Sequence, residues 1–110
     1  MGTDSSVIKG TLDMLVLKVL SLGPMHGWGI SELIEARSAD ALRVGQGALY
    51  ASLYRLTREG WIRSSWRDTD NGRRARYYAL SRAGEQQLET EAEHWHRLAA
   101  GVTRIMALNA

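Results

Sequence analysis

An Asn-Gly pair at positions 71 and 72 lies between two runs of strand-forming residues, Trp61–Arg67 and Arg76–Leu80. Both residues tolerate positive φ, the requirement of a tight hairpin turn, and no short-range signal for a hairpin is stronger. The long periodic segments on either side read as helix. A chain of 110 residues with one hairpin set among helices has room for a single core. The expected class is therefore mainly α, an α+β fold in which helices precede and follow one two-stranded ribbon.

The helices are readable from their apolar spacing. Over Val7–Leu22, residues Leu12, Leu15, Val16 and Val19 recur at i, i+3, i+4 and i+7, and Leu17 and Leu20 add a second apolar side. A helix apolar on two sides packs against more than one partner. Gly23-Pro24 ends it. His26-Gly27 leads into a second helix over Trp28–Ser38, with Trp28, Ile30, Leu33 and Ile34 as its packing residues. Ala41–Val44 is a short extended link. A third helix covers Gln46–Glu59 and stops at Gly60. Its buried edge is Leu49, Leu53 and Leu56, and its opposite face carries Gly47, Ala51, Tyr54, Arg55 and Arg58, with Tyr50 on the flank. Ser81 caps a final helix running to about Leu108. Along it Leu88, Trp95, Leu98, Val102 and Ile105 form a seam at spacings near three and four, interrupted by Glu91. Such a seam packs on the first helix of its own chain, on a second copy, or on both in different stretches.

Composition removes several classes of function. With no cysteine, disulfides, thiolate metal sites and cysteine nucleophiles are excluded. His94 and His96 are two apart, on different faces of a helix, so no metal is expected. The longest apolar stretch, Leu12–Leu22, is broken by Asp13 and Lys18, too short and too polar to cross a bilayer. No basic-then-apolar leader is visible, and the expected location is the cytoplasm. Met1-Gly2 with Ser6 matches a myristoylation pattern, at a length that chance supplies. Gly23, Gly27 and Gly29 fit neither phosphate-loop nor dinucleotide spacing, so no cofactor is expected. Asp13, Glu32 and Glu35 read as helix-surface charges, and no catalytic constellation emerges; an enzyme is not expected.

Charge is distributed unevenly. Residues 1–42 carry a net −2 and residues 83–110 a net −2, whereas residues 43–82 hold nine arginines against three carboxylates, a net +6. Arginine's planar fork matches phosphates and guanine edges. The basic block spans the third helix and the hairpin. Three helices followed by a basic hairpin describe a winged helix-turn-helix, whose third helix enters the major groove while the wing meets backbone or minor groove. Residues 7–80 are thus the expected DNA-binding domain and 81–110 the dimerisation helix. The candidate DNA contacts are Gln46, Tyr50, Tyr54, Arg55 and Arg58 on the third helix and Arg73 and Arg74 at the hairpin tip. Arg76 joins them from the hairpin arm; with Arg67 it has the alternative of pairing with Asp68 or Asp70. Leu88, Trp95, Leu98, Val102 and Ile105 are the candidate dimer contacts. A winged helix that binds another protein instead of DNA is the competing reading, disfavoured by the all-arginine block.

The segments Gly10-Thr11-Leu12-Asp13, Gly23-Pro24-Met25-His26-Gly27-Trp28-Gly29-Ile30, Gly47-Ala48-Leu49-Tyr50, Leu53-Tyr54-Arg55-Leu56, Glu59-Gly60-Trp61-Ile62 and Arg76-Tyr77-Tyr78-Ala79-Leu80-Ser81, with Gly84, resemble the PadR family of bacterial transcriptional regulators in residues and order. Trp28, Ala51 and Ser81 depart from the family's commoner tyrosine, proline and threonine. The length is similar to that of members with one C-terminal dimerisation helix. The resemblance implies a repressor that binds a palindromic operator as a homodimer and is released by a small ligand. It also bears on Trp95: this residue is either a dimer-core anchor or a stacking surface for a planar aromatic effector between protomers.

Overall fold

The computed structural model describes the backbone of residues 5–109 and the side chains of residues 11–109. The Met1-Gly2 pattern lies outside the described residues. The elements are α1 (Ser5–Leu20), β1 (Met25–His26), α2 (Gly27–Arg37), α3 (Gln46–Arg58), β2 (Ile62–Asp68), β3 (Arg74–Leu80) and α4 (Arg82–Met106). This is the winged helix-turn-helix order expected from the hairpin and the apolar periodicity.

The core explains why α1 is apolar on two sides. It packs against α2, α3 and α4 together. Its Leu12, Val16, Leu17 and Leu20 are buried among Ile30 and Ile34 of α2, Leu49, Leu53 and Leu56 of α3, and Ile62 and Tyr78 of the hairpin. The outer edge of α3 is thereby left free.

The sheet has three strands, in the order β1-β3-β2. β1 adds Met25 opposite Tyr78 and His26 opposite Tyr77. It has only two residues, directly after Pro24, so it leaves no alternation in the sequence and exists through its pairing. β2 and β3 form an antiparallel ladder from Ile62↔Leu80 to Asp68↔Arg74. Asn71 does not adopt the positive φ that it tolerates. Only Gly72 has positive φ, at 83°, and the loop is closed by Thr69 N–H donating to the Arg73 carbonyl at 2.7 Å. Asn71 contributes through its side chain: its Oδ1 accepts from the Thr69 hydroxyl and from Arg73 N–H.

Polar side chains set the junctions. His26 caps α2, its Nδ1 accepting from Gly29 N–H at 3.0 Å. Glu35 is not a plain surface charge: its carboxylate accepts from Val44 N–H at 2.9 Å and holds the turn between α2 and α3, where Ala39 and Asp40 take left-handed φ. Ser81 caps α4 by accepting from Gly84 N–H. Its own hydroxyl donates to the Gly60 carbonyl at 2.7 Å, and its N–H donates to the Trp61 carbonyl. One serine thus joins the hairpin base to α4.

Beyond Leu88, which is partly buried against the core, α4 extends away from the body. The described chain measures 60 × 31 × 20 Å. Trp95, Leu98, Val102 and Ile105 are all exposed along this arm. Leu88 thus serves its own chain, whereas the other four stay exposed among the described residues, Trp95 the least so.

Candidate nucleic-acid interface

The outward edge of α3 follows from the spacing of its leucines. With Leu49, Leu53 and Leu56 buried, Gln46, Tyr50, Tyr54 and Arg58 are exposed on the far side. Arg58 lies 5.7 Å from the centre of the Tyr54 ring, so the two present one flat, cationic surface.

Arg55 behaves differently from the expectation that it faces outward unengaged. Its guanidinium turns to α1, donating to Asp13 through Nη2 at 2.8 Å and through Nε at 3.3 Å. Asp13 also accepts from the hydroxyl of the buried Ser52 at 2.6 Å. The hydrogen bond from Arg55 to Asp13 raises the arginine's pKa further, against a smaller opposing effect of burial. Asp13, which the sequence presents as a surface charge, is therefore the link that fixes α3 on α1. Replacing it with alanine strips Ser52 and Arg55 of their partner. We expect a loss of about 1–3 kcal/mol, read as a lower midpoint in urea unfolding with unchanged slope.

The hairpin bears its cations on two faces. Ser64, Trp66, Arg74, Arg76 and Tyr78 share the face toward α3, as the pairing Trp66↔Arg76 and Ser64↔Tyr78 requires. Arg74 and Arg76 lie 5.8 and 5.5 Å from the Trp66 ring, and Arg76 Nε donates to the Ser64 hydroxyl at 3.1 Å. The expected pairing of Arg67 or Arg76 with Asp68 or Asp70 is not what forms. Asp68 meets Arg74 at 3.9 Å, because the two are ladder partners, and Arg67 sits over Tyr77 on the other face. Arg73 is exposed at the tip. Burial raises the pKa of Tyr78 beneath this face, and nearby Arg76 partly offsets the rise.

Between α2, α3 and the hairpin runs an open groove of about 610 Å³, lined in part by Tyr50, Trp66, Arg73, Arg74 and Arg76. Of the candidates on α3, Tyr50 lines this groove, and Tyr54 meets Arg76 in a smaller pocket next to Tyr50, whereas Gln46 and Arg58 line neither. Trp28 lines the groove too, and is 61% exposed; the expectation that it packs α2 fails because the core side of that helix is taken by Ile30, Ser31 and Ile34. Periodicity misses such a residue, since an apolar side chain near a helix start reads as core. Among the described residues no group of three or more metal-ligating side chains is gathered, and no helix is long and apolar enough to cross a membrane.

Comparison with known proteins gives the family and the fold. Residues 16–90 match the model of the transcriptional regulator PadR-like family. A transcriptional regulator from Clostridium thermocellum superposes with a TM-score of 0.82 at 25% identity, over 91% of this chain and 97% of the other. A PadR-like transcriptional regulator from Bacillus cereus gives 0.82 at 23% identity, over 96% and 100%. An uncharacterized protein of Lysinibacillus sphaericus is 26% identical over 83% of this chain and 84% of its own length. A winged-helix fold, with Arg73, Arg74 and Arg76 lining one groove, and a family match over residues 16–90 make this chain a member of the PadR-like family of transcriptional regulators, not of an enzyme family.

Proposed function

We propose that the protein is a cytoplasmic repressor that binds a palindromic operator as a homodimer. Residues 7–80 form the reading head and α4 the dimer arm. The observation that carries this reading is a groove lined by Tyr50 of α3 and by Arg73, Arg74 and Arg76 of the hairpin, with Tyr54 meeting Arg76 in a second pocket that shares Tyr50. α3 then enters the major groove, with Gln46, Tyr50, Tyr54 and Arg58 at base edges or flanking phosphates, and the hairpin follows the backbone. Arg55, bound to Asp13, aligns α3 and reaches a phosphate from its half-exposed side. Selection of bound sequences from a random duplex pool tests the reading. An inverted repeat with half-site centres about 10 bp apart, or a multiple of that, is expected. Recovery of no enriched sequence counts against it.

Arg73 and Arg74 meet phosphates and carry no sequence information. Replacing both with alanine is expected to lower the slope of log K against log salt by about 0.9 for each phosphate no longer neutralised. A variant with the wild-type slope would remove the tip from the interface.

Release by a small ligand is supported by Trp95, a large ring left exposed on the dimer arm. A planar aromatic stacked there between protomers shifts operator affinity by favouring one spacing of the two α3 helices. Quenching of tryptophan fluorescence by such compounds, abolished in Trp95→Leu, is the expected result; quenching that persists in the variant places the ligand elsewhere.

A further inference from the structure

Two tryptophans of the groove serve neither the core nor the dimer arm. Trp28 is 61% and Trp66 56% exposed, and both line the concave surface beside α3. Each is exposed yet held in place. The Trp28 ring stacks on His26 with centres 6.5 Å apart and planes 27° apart. His26 is fixed in turn by its cap bond to Gly29 N–H and by an edge contact with the Tyr77 ring at 5.4 Å. Trp66 is flanked by Arg74 and Arg76. Side chains immobilised before binding lose little entropy when a partner arrives.

The chemistry of the groove alternates. Flat apolar surface comes from Trp28 and Trp66, positive charge from Arg73, Arg74 and Arg76, and hydrogen-bonding groups from Thr69 and Asn71, while no carboxylate lines it. A simple anion would use the arginines and leave the indoles idle. A sugar–phosphate strand uses both, because each deoxyribose offers a C–H face between two phosphates. The groove also lies beside the exposed tyrosines of α3, where a strand flanking the occupied major groove has to pass.

We propose that this groove seats one sugar–phosphate strand of duplex DNA, with Trp28 and Trp66 packed on deoxyribose and Arg74 and Arg76 on the adjoining phosphates. The proposal rests on the proposed binding of duplex DNA, and it adds an apolar, sequence-independent contribution that the charge pattern does not reveal.

The test is titration of wild type, Trp28→Ala, Trp66→Ala, the two phenylalanine variants, Arg74→Ala and Arg76→Ala with duplex and single-stranded DNA over a range of salt. Each tryptophan-to-alanine change is expected to weaken duplex binding about tenfold, for operator and random sequence alike. The salt slope should stay at the wild-type value, because no ion is released where an indole packs on deoxyribose. Phenylalanine should restore most of the affinity, and thermal unfolding should not move, since neither indole is in the core. Each arginine change should instead lower the slope by about 0.9. Unchanged affinity in both alanine variants overturns the proposal. So does a reduced slope in those variants, the signature of a phosphate left unneutralised. A preference for single strands that these variants alone abolish assigns the indoles to base stacking and overturns it as well. A wild type without salt-dependent duplex binding refutes the underlying function instead, so the two failures are distinguishable.

Discussion

Aspartate at both Leu98 and Val102 is expected to leave the protein folded but monomeric, with specific operator affinity reduced by at least about two orders of magnitude. Both side chains are exposed along the arm of α4, in line with Trp95 and with Ile105, which is 65% exposed. In a twofold interface every substitution counts twice. Burial of four aliphatic side chains is worth roughly 1.5–3 kcal/mol each, and the variant replaces that with four carboxylates facing one another. Loss of roughly 6 kcal/mol, the lower bound of that sum, moves a nanomolar dimer into the micromolar range or beyond. Each half then reads a single half-site, too few base pairs to hold the protein. Sedimentation at micromolar concentration, followed by titration with the selected operator, checks both parts. A variant that remains dimeric would show that the exposed seam is not the interface.

Gly84→Ala should have the largest effect on folding of any substitution this small. A methyl group there would overlap the Trp61 carbonyl oxygen and approach Leu80 Cδ1 to 2.8 Å. The carbonyl cannot yield, because it already accepts the Ser81 N–H. Overpacking of this kind costs about 3 kcal/mol when the obstacle is backbone, a fall on the order of 10–20 °C in Tm for a domain of this size. Gly47→Ala is the control. Nothing lies within 4 Å of a methyl group at that position, and in a helix alanine is favoured over glycine by up to about 1 kcal/mol. Calorimetry of the two variants should therefore show shifts of opposite sign.

What the sequence discloses depends on whether a residue's task is periodic. Leu49, Leu53 and Leu56 repeat at helical spacing, so the buried edge of α3 and the outward edge opposite it are legible. Ser81 is legible as a cap because serine before a helix has few other uses. β1 is invisible, for two residues carry no period and Met25 and His26 become a strand only when Tyr77 and Tyr78 arrive beside them. Asp13 and Glu35 mislead for the opposite reason. A carboxylate on a helix resembles a solvated charge, and its partners, Ser52 and Arg55 for one and Val44 N–H for the other, are brought to it by the tertiary fold. The candidate site shares this limit. The arginine block marks the region, but which arginines are occupied and which tryptophans are uncovered depends on strand register and on how α1 seats α3.

The serine at the start of α4 has a consequence for evolution as well as for folding. Ser81 binds the hairpin's base on one side and the first turn of α4 on the other, which removes the slack a flexible linker would give. In a twofold assembly the crossing of the two arms therefore dictates how far apart the two hairpins stand. If the protein binds as the proposed homodimer, substitutions near Val102 or Ile105 are then expected to retune the gap between half-sites that it accepts. New operators would then become reachable without altering any of the residues proposed to read bases. A set of operators differing only in spacer length, bound by arm variants, would register that drift as a shifted optimum; an optimum indifferent to the arm would place the ruler elsewhere.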